Sequence, residues 1–592
     1  MATVITDKST TEVVLESPLE TRYALRTRHA VIIAIACMFF LVLNYLPLRA
    51  TDLWGHVAYG QWILQNGSLP TEDPMLKLAE GMPVIDSAWL SQVIFAAVEN
   101  IGAEALSNLF ALTLLVAFVL LARGFYLQSR NTLVAVAGAM LVLAIGWSRL
   151  AMIRPENFAM LCFAALLWLI VSMRRKEQPS AGRRTMAARG RNWRLWVGVP
   201  LLMALWANLH GSFVCGLVVL ACFLIGRTIE VFWRNRRLMA VLADREVHLW
   251  LGLCELGTLA TLINPYGENL LFHTLWFSAN DNLRDVLEWQ SLTFLNVGGR
   301  EFALSWVLLL VVLRHSRRRV PVAHAMLLGV FSIAAVFGVR MISWYAPIFA
   351  FVLVPHLADL ASRFVKRTAT QRDNTTLEST PAAFQRDFAT PISVRSSRGA
   401  GREVSAKAAA AVSWKPTLTA ILLVWTTFAL SGLSRPLLGG DARSEGQLLG
   451  NSTPLALTEY LQAHPPRGQV FNPQWWGDWL ATRGPVDFQP FMTTNIHLAP
   501  RNVWQDYQTI AFVEPGWQRS LDRYRVNTMI IDKQEQTMLA SVMRQTDDWS
   551  LRYEDDQALV FVRLSGHKAD MPTTSGGVAV TDTAAAVVRR AP

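Results

Sequence analysis

The sequence predicts an α-helical polytopic membrane protein that carries a small soluble α/β domain near its C-terminus. Of the 592 residues, 52% are hydrophobic and only 17% are charged, whereas an ordinary soluble protein is about 25% charged. The deficit comes from repeated apolar runs such as residues 30–46, while residues 436–565 have a soluble composition. The 22 Trp and 28 Phe suit a protein with two membrane interfaces, because amphipathic rings settle there.

About eleven apolar segments are candidate transmembrane helices. A spanning helix needs roughly 17–25 apolar residues, so the boundaries of the shorter segments are loose. The predicted spans are residues 30–48, 105–122, 131–147, 156–173, 195–209, 211–226, 248–264, 302–313, 322–338, 344–360 and 416–432. No small-residue cleavage site follows the first segment, which favours a retained span over a signal peptide.

The loops between these segments alternate between basic and acidic or mixed composition. The net charge of +11 would suit a nucleic-acid partner, but the basic residues cluster in short loops, where orientation in a membrane explains them better. The positive-inside rule places the basic loops in the cytoplasm. We therefore expect a cytoplasmic N-terminus, an extracytoplasmic C-terminal domain and no nucleic-acid partner.

These patterns divide the chain into six parts. They are a cytoplasmic N-terminal segment (1–29), a transmembrane body (30–361) with its first external loop at 50–104, a disordered cytoplasmic linker (362–414), a last transmembrane helix (415–433), the α/β domain (434–565) and a disordered tail (566–592). Within the α/β domain we predict helices at 455–463 and 534–543, and strands at 469–471, 526–532 and 558–563.

Cysteine spacing and short motifs exclude several kinds of chemistry. The five cysteines all lie inside apolar runs and none forms a CxxC pair, so disulfides and structural zinc are not expected. The sequence has no Walker loop, GxGxxG, HExxH or GxSxG. The candidate functional residues are therefore the non-basic polar clusters, which share the external end of the predicted helices.

The first polar cluster follows the first span. Asp52 and His56 are four residues apart, so on a helix they share one face. Apolar residues beside them, including Trp54 and Val57, suggest a helix that lies along the membrane interface. The alternative is that Asp52 only caps this helix and that His56 is merely interfacial.

The second and third clusters lie between later spans. Arg149 and Arg154 stand before Glu156, and a guanidinium at a membrane mouth suits a phosphate or carboxylate. The alternatives are an Arg154–Glu156 pair or snorkelling toward headgroups. Asn208 and His210 lie at the apex between two basic loops, where they could instead satisfy only freed backbone groups.

The last cluster combines Glu288 with Arg340. The preceding Asn-Pro-Tyr-Gly at 264–267 is primarily a turn signal. Arg340 lies between two apolar runs with no acid near it in the sequence. Its anion could be Asp52, Glu288 or a ligand phosphate, and the three choices stay open. Ionisable groups at a membrane mouth suggest a site for an anionic amphiphile.

Two family resemblances follow from these residues. The Asp52-x-x-x-His56 spacing and the later Gly67, Pro70, Asp73 and Pro74 resemble the first external loop of the GT-C membrane glycosyltransferases. These include protein O-mannosyltransferases, aminoarabinose transferases and oligosaccharyltransferase catalytic subunits. More of the chain resembles a group of uncharacterised bacterial multi-span membrane proteins, through a set of shared positions. They are Trp206, Asn208, His210, Gly211, Phe213, residues 264–267, Glu288 and Trp289.

The GT-C resemblance implies a sugar donor linked to polyprenyl phosphate and a glycan, lipid or protein acceptor. By that pattern Asp52 is the catalytic base, assisted by His56 and Glu288. The donor phosphate would be bound by a second set of polar residues. They are Arg154, Asn208, His210 and Arg340.

Some members of that family recruit a divalent cation, Mg²⁺ or Mn²⁺, through acidic residues. Asp52 is the corresponding candidate, with Asp73, Asp86 or Glu288 to assist it, although the sequence has no clear Asp-x-Asp. Trp475-Trp476-Gly477-Asp478-Trp479 faintly resembles an acceptor-recognition motif of oligosaccharyltransferases, but the residue order differs and ordinary aromatic packing is the favoured interpretation. A non-catalytic glycan- or lipid-binding scaffold and a lipid or solute transporter remain alternative functions.

Overall fold

Most of the chain folds into helices, and a small sheet lies near the C-terminus. A computed structural model describes residues 24–49, 52–174, 193–295, 298–378 and 414–564. The helices in the first part are α1 (Thr27–Asn44), α2 (Asp52–Asn66), α3 (Trp89–Glu99), α4 (Ala103–Ser129), α5 (Thr132–Leu150), α6 (Glu156–Arg174), α7 (Trp193–Leu209), α8 (Phe213–Asn235), α9 (Leu238–Leu242), α10 (Arg245–Thr261), α11 (Glu268–Trp276), α12 (Gly299–His315), α13 (Val322–Phe337) and α14 (Ile342–Glu378). Those of the second part are α15 (Lys415–Leu430), α16 (Arg435–Leu438), α17 (Glu445–Leu448), α18 (Leu455–Ala463), α19 (Gln474–Arg483), α20 (Arg501–Ala511), α21 (Trp517–Arg523) and α22 (Thr537–Met543).

The chain is a multi-pass membrane protein. Within the described residues, five helices are long and apolar enough to cross a membrane. They are Thr27–Asn44, Ala103–Ser129, Thr132–Leu150, Phe213–Asn235 and Val339–Phe364. A sixth candidate joins Lys415–Leu430 to Gly432–Leu438 across an 87° bend. Every predicted span coincides with a described helix, but eleven crossings stay a prediction because several of these helices are short.

The structure contains helix α3, which was not predicted, and helix α14, which is longer than predicted. Helix α3 lies within the predicted external loop 50–104, and helix α14 continues to Glu378, into the predicted linker. The rest of that linker, most of the N-terminal segment and the predicted tail lie outside the described residues.

The C-terminal domain is a mixed α/β unit, as predicted. Strands β1 (Gln469–Phe471), β2 (Val526–Asp532), β3 (Trp549–Glu554) and β4 (Ala558–Arg563) form one sheet in the order β1-β2-β4-β3. Strand β1 is parallel to β2, and the other neighbours are antiparallel. The sequence predicted β1, β2 and β4 but missed β3, because this edge strand has one buried residue and otherwise polar or exposed positions.

The C-terminal domain packs directly on the loops of the transmembrane body. Leu48, just after α1, pairs with Leu449 in an isolated β-bridge. Leu76, Ala79 and Leu283 come from loops of the body, yet they belong to the hydrophobic core of the C-terminal domain. The two parts therefore share a core, which fixes the position of the domain over the helix ends.

Helix α2 is the main contact between the body and the domain. The sequence predicted this helix but placed its apolar face along the membrane interface. In the structure Trp54 is 1% exposed and packs edge-on against Trp479 of α19, with ring centroids 4.9 Å apart. The interfacial placement is therefore wrong for Trp54 and Val57, because α3 and α19 cover this face where the prediction assumed lipid.

Candidate functional site

Six charged side chains meet where the C-terminal domain covers the transmembrane body. We call them the charged cluster. They are Asp52, Arg149, Arg154, Glu156, Glu288 and Arg340. The sequence nominated each of them separately, and the structure brings them together from four different connections of the chain.

Two arginines link the acids of the charged cluster into one chain of ion pairs. Arg149 lies 3.0 Å from Glu156 and 2.6 Å from Glu288. Arg154 lies 2.8 Å from Glu288 and 3.0 Å from Asp52. The Arg154–Asp52 contact lacks good hydrogen-bond alignment, so it is charge pairing and not a hydrogen bond. The predicted Arg154–Glu156 alternative is wrong, because Glu156 pairs with Arg149.

The α5–α6 hairpin explains why Arg149 and Glu156 meet. Arg149 lies in the last turn of α5 and Glu156 in the first turn of α6. A cation at a helix C-terminus and an anion at a helix N-terminus are each stabilised by the helix dipole. The short connection then places both charges side by side, with side chains only 5% and 11% exposed.

Arg340 differs from the other two arginines because no carboxylate of the described residues lies within 4.0 Å of it, although Glu156 and Glu288 interact with it electrostatically at longer range. Its guanidinium lies 4.4 Å from the ring centre of Trp289. A backbone hydrogen bond from Val339 to Gln290 holds this turn against the segment that carries Glu288. Among the described residues, Arg340 makes no ion pair within 4.0 Å and no hydrogen bond. Of the partners that the sequence left open, Asp52 and Glu288 pair with Arg154 instead.

Glu288 is held ionised by the arginines around it. Burial would raise the pKa of this carboxyl, but the positive charges of Arg154 and Arg149 outweigh burial and lower the pKa well below its usual value. The carboxylate is therefore charged at any physiological pH and is already satisfied by two guanidinium groups. It is a positioning group for Arg149 and Arg154 in this arrangement.

Three histidines lie near the charged cluster, and each is held neutral. Burial lowers the pKa of His56, of His210 to about 4 and of His497 to about 3. His210 Nδ1 accepts the backbone N–H of Ser212 at 3.0 Å, which leaves Nε2 as the N–H donor of the neutral ring. His497 comes from the C-terminal domain, and sequence reasoning missed it because nothing in its neighbourhood forms a motif.

Asn208 does not point a free donor at the charged cluster. Its amide nitrogen donates to the carbonyl oxygens of Ala204 and Ile263 at 2.8 and 2.7 Å. Its oxygen accepts the indole N–H of Trp89 at 3.0 Å. Since both amide hydrogens are used, the predicted role of Asn208 as a phosphate ligand has no support in this geometry, and the residue braces the α7–α8 turn.

A second group of ionisable residues, which we call the acidic cluster, lies beside α2, within electrostatic range of Asp52. It consists of Asp73, Asp86, Asp478 and Tyr59, and all three carboxyls interact electrostatically with the Tyr59 hydroxyl. Each carboxyl uses one oxygen to accept backbone N–H groups at 2.8 to 3.1 Å. The other oxygen of each is buried and has no hydrogen-bond partner in the described part of the chain.

Asp478 joins the acidic cluster from the motif that the sequence assigned to aromatic packing. Trp476 and Trp479 do pack in the core, at 1% and 2% exposure, so that interpretation holds for the aromatic residues. Asp478, however, is fully buried and approaches α2 so closely that a Cβ on Gly55 would lie 2.2 Å from its Oδ1. Only glycine fits at position 55 without displacing this carboxyl.

Burial makes the acidic cluster hard to ionise. It raises the pKa of Asp478 to about 7, with a further increase from the nearby charges of Asp52 and Asp73. It also raises the pKa of Asp86 to about 6. Because the folded state favours the protonated carboxyls, this contribution to stability is complete below about pH 4 and is lost as the pH rises through 7.

Replacing Asp478 with Asn should therefore stabilise the protein at high pH only. At pH 8 the wild type carries a buried charge that the Asp478→Asn variant lacks, so the variant should melt higher, by roughly 2–4 °C for each kcal/mol gained. At pH 5 both side chains are neutral and the melting temperatures should agree. Intrinsic fluorescence melting of the purified protein measures this difference. An equal offset at both pH values would show that ionisation of Asp478 is not its cause.

Fold and site together define a multi-pass membrane protein whose α/β domain covers a buried, arginine-rich charged cluster. No protein-family model matches the chain, and no curated protein matches its sequence. Similarity is found only at the level of solved structures, which include members of the membrane glycosyltransferase class that the sequence motifs resemble.

Three of these structures illustrate the similarity. An oligosaccharyltransferase from Archaeoglobus fulgidus, tethered to an acceptor peptide with an NVT sequon, matches 93% of this chain and 75% of its own, with 12% identity and a TM-score of 0.48. ArnT from Cupriavidus metallidurans, bound to undecaprenyl phosphate, matches 91% of this chain and 99% of its own, with 14% identity and a TM-score of 0.46. The arabinofuranosyltransferase AftD from mycobacteria matches 92% of this chain and 40% of its own, with 13% identity and a TM-score of 0.44. Similarity at this level describes overall arrangement and assigns no residue a role.

Proposed function

We propose that the protein is an integral membrane glycosyltransferase that moves a sugar from a polyprenyl-phosphate donor to an acceptor. The observation that carries the proposal is Arg340, whose guanidinium has no directly paired carboxylate among the described residues and lies beside the Asp52–Arg154–Glu288 chain of ion pairs. A phosphate is the anion that a lone, planar guanidinium binds well. Asp52 then supplies a carboxylate on the same cluster.

In the proposed transfer step, each group of the site has a defined role. An acceptor hydroxyl attacks the anomeric carbon, so a new carbon–oxygen bond forms there while the bond from that carbon to the phosphate oxygen breaks. The electron pair of the broken bond leaves with the phosphate, where Arg340 and the Nε2–H of His210 stabilise the added charge. The hydroxyl proton passes to the carboxylate of Asp52.

The place of the charged groups favours this function over transport. A transporter is expected to bind its substrate near the middle of the membrane. Here the charged cluster is built from helix ends and connections next to the C-terminal domain. This arrangement supports a site that receives a lipid headgroup from the membrane and an acceptor from the aqueous side.

Orientation and location belong to the same proposal. The basic loops favour a cytoplasmic N-terminus, which puts the charged cluster and the C-terminal domain on the extracytoplasmic side of a bacterial inner membrane. The acceptor is then a glycan, lipid or protein outside the cytoplasm.

Direct assay of donor turnover tests the proposed function. The purified full chain in lipid nanodiscs is incubated with undecaprenyl phosphate carrying single pentoses or hexoses and with a glycan, lipid or peptide acceptor. Released undecaprenyl phosphate is measured by mass spectrometry. Turnover of at least one donor above a protein-free control supports a transferase. A second experiment separates an enzyme from a scaffold in membranes that need the protein to make a glycan product. The wild type is replaced there by Asp52→Asn, a variant that no longer turns over the donor. If these membranes still make the product, the protein is a scaffold.

Arg340→Ala should weaken binding of undecaprenyl phosphate by about 10- to 100-fold, because a charge-assisted hydrogen bond is worth about 1.5–3 kcal/mol. Native mass spectrometry or microscale thermophoresis in nanodiscs measures the affinity. Arg284→Ala is the matched control, since Arg284 forms an exposed ion pair with Asp281 on the same loop region. Equal affinities for the Arg340→Ala protein and the wild type would remove Arg340 from the phosphate site.

A further inference from the structure

The carboxylates that the family resemblance nominates for a divalent cation do not form one site. Asp73 and Asp86 belong to the acidic cluster, whereas Asp52 belongs to the charged cluster. Among the described residues, no group of three or more His, Cys, Asp and Glu side chains is arranged to hold a metal ion. The donor set implied by the resemblance therefore does not fit a shared cation.

Asp52 and Glu288 face each other across a guanidinium. Arg154 lies 3.0 Å from Asp52 and 2.8 Å from Glu288, so it occupies the space between the two carboxylates. A Mg²⁺ ion bound to the same oxygens would need distances of about 2.0–2.1 Å. The ion's double positive charge would also lie next to the guanidinium of Arg154, and the two positive charges repel each other strongly in a partly buried site.

The net charge of the charged cluster also argues against a bound divalent cation. The charged cluster contains three acids and three arginines, namely Asp52, Glu156, Glu288, Arg149, Arg154 and Arg340. Burial holds the neighbouring histidines neutral. The cluster is thus electrically neutral before a ligand binds, and it lacks the excess negative charge that attracts a divalent cation.

We propose that the guanidinium of Arg154 takes the position between Asp52 and Glu288 that a divalent cation would otherwise take, so that the donor-phosphate site works without a bound metal. A fixed guanidinium supplies one positive charge and several directed N–H donors, which suits a phosphate group that enters beside Arg340. The inference deepens the proposed function, but its main test measures metal binding and does not depend on activity.

The test is a Mn²⁺ titration of the purified full chain, with free Mn²⁺ followed by electron paramagnetic resonance. Removing the guanidinium leaves Asp52 without its cation, while Glu288 keeps its contact with Arg149. The charged cluster then carries one excess negative charge, so we expect Arg154→Ala to bind about one more Mn²⁺ per chain than the wild type through Asp52 and the remaining oxygen of Glu288. Arg154→Lys keeps the positive charge and should gain none.

Two further variants locate the gained ion. Adding Asp52→Asn to Arg154→Ala should remove the extra Mn²⁺. Arg501→Ala, which frees only the single carboxylate of Asp285, should not gain an ion. If Arg154→Ala does not elute as a folded monodisperse protein, Arg154→Gln fills a similar volume without charge and is expected to gain the same ion.

Two results would overturn the inference. One is a folded Arg154→Ala or Arg154→Gln protein that binds no additional Mn²⁺. The other is a wild type that already binds Mn²⁺ and loses it on Asp52→Asn. Donor turnover, measured once with EDTA and once with Mn²⁺, separates the two proposals. If no donor is turned over in either condition, the proposed function is contradicted, while the Mn²⁺-binding result still stands.

Discussion

Replacing Asp52 with Asn is expected to reduce sugar transfer by about 10²- to 10⁴-fold, the usual contribution of a positioned general base. Asn has nearly the same shape but cannot take the acceptor proton. Arg154 keeps its contact with Glu288, so the fold should survive. Initial rates of undecaprenyl phosphate release, measured at saturating donor, should show the loss in kcat.

Two controls make the Asp52 result specific. Asp281→Asn removes an exposed acid and should leave the rate unchanged. Undecaprenyl phosphate binding by Asp52→Asn should stay within a few-fold of the wild type, since the phosphate is assigned to Arg340. A variant that transfers sugar at the normal rate would rule out Asp52 as the base.

Replacing Arg149 with Met should have the largest effect on stability. Arg149 is 5% exposed at its side chain and pairs with both Glu156 and Glu288. Removing one partner of a buried ion pair leaves an uncompensated charge and costs about 3–5 kcal/mol. We expect a much lower melting temperature and a smaller monodisperse fraction after purification in the same detergent.

A second substitution should reverse part of this loss. Arg149→Met combined with Glu156→Gln removes both charges of the pair, so the double variant should be more stable than Arg149→Met alone. Arg284→Met breaks an exposed ion pair, in which the side chains are 73% and 63% exposed, and should change stability by less than about 1 kcal/mol. Equal melting temperatures for Arg149→Met and the wild type would mean that the buried pair contributes nothing.

The sequence predicted much of the fold because membrane helices and buried strands leave strong local patterns. Apolar length located the helices, and short strand-like runs between amphipathic segments located β1, β2 and β4. Helix α2 shows what such patterns cannot predict, namely what covers an apolar face. The spacing of Asp52 and His56 correctly placed both on one helix, but an apolar face looks the same whether lipid or Trp479 covers it. Only the tertiary structure distinguishes the two.

The sequence predicted which residues belong to the candidate site, but it did not predict which of them form ion pairs with each other. Arg149, Arg154, Glu156 and Glu288 stood out as charges between apolar runs, but the only pairing among them that the sequence suggested was the alternative Arg154–Glu156 pair. Helix geometry instead points Glu156 toward the end of the preceding helix. The roles of these residues remain predictions.

Asp478 and His497 show a different limit. Both come from the soluble domain, where an acid or a histidine is ordinary, so nothing in the sequence marked them as buried. The weak signal for Asp478 was Gly55 in α2, where a side chain would collide with the buried carboxyl. A close approach between helices requires such a residue, but no pattern within one sequence says which residue a glycine faces.

The contact between α2 and α19 also sets an order of events during synthesis. The Thr482 hydroxyl donates to the carbonyl of Trp54, a residue 428 positions earlier in the chain. At about 5–20 residues per second, a ribosome needs roughly 20–90 s to make the intervening segment. Throughout that time the face of α2 that bears Gly55 has no cover. The C-terminal domain is therefore made after every residue of the charged cluster, and chains that end before it should leave this cluster uncovered even when the helices that supply it are in place.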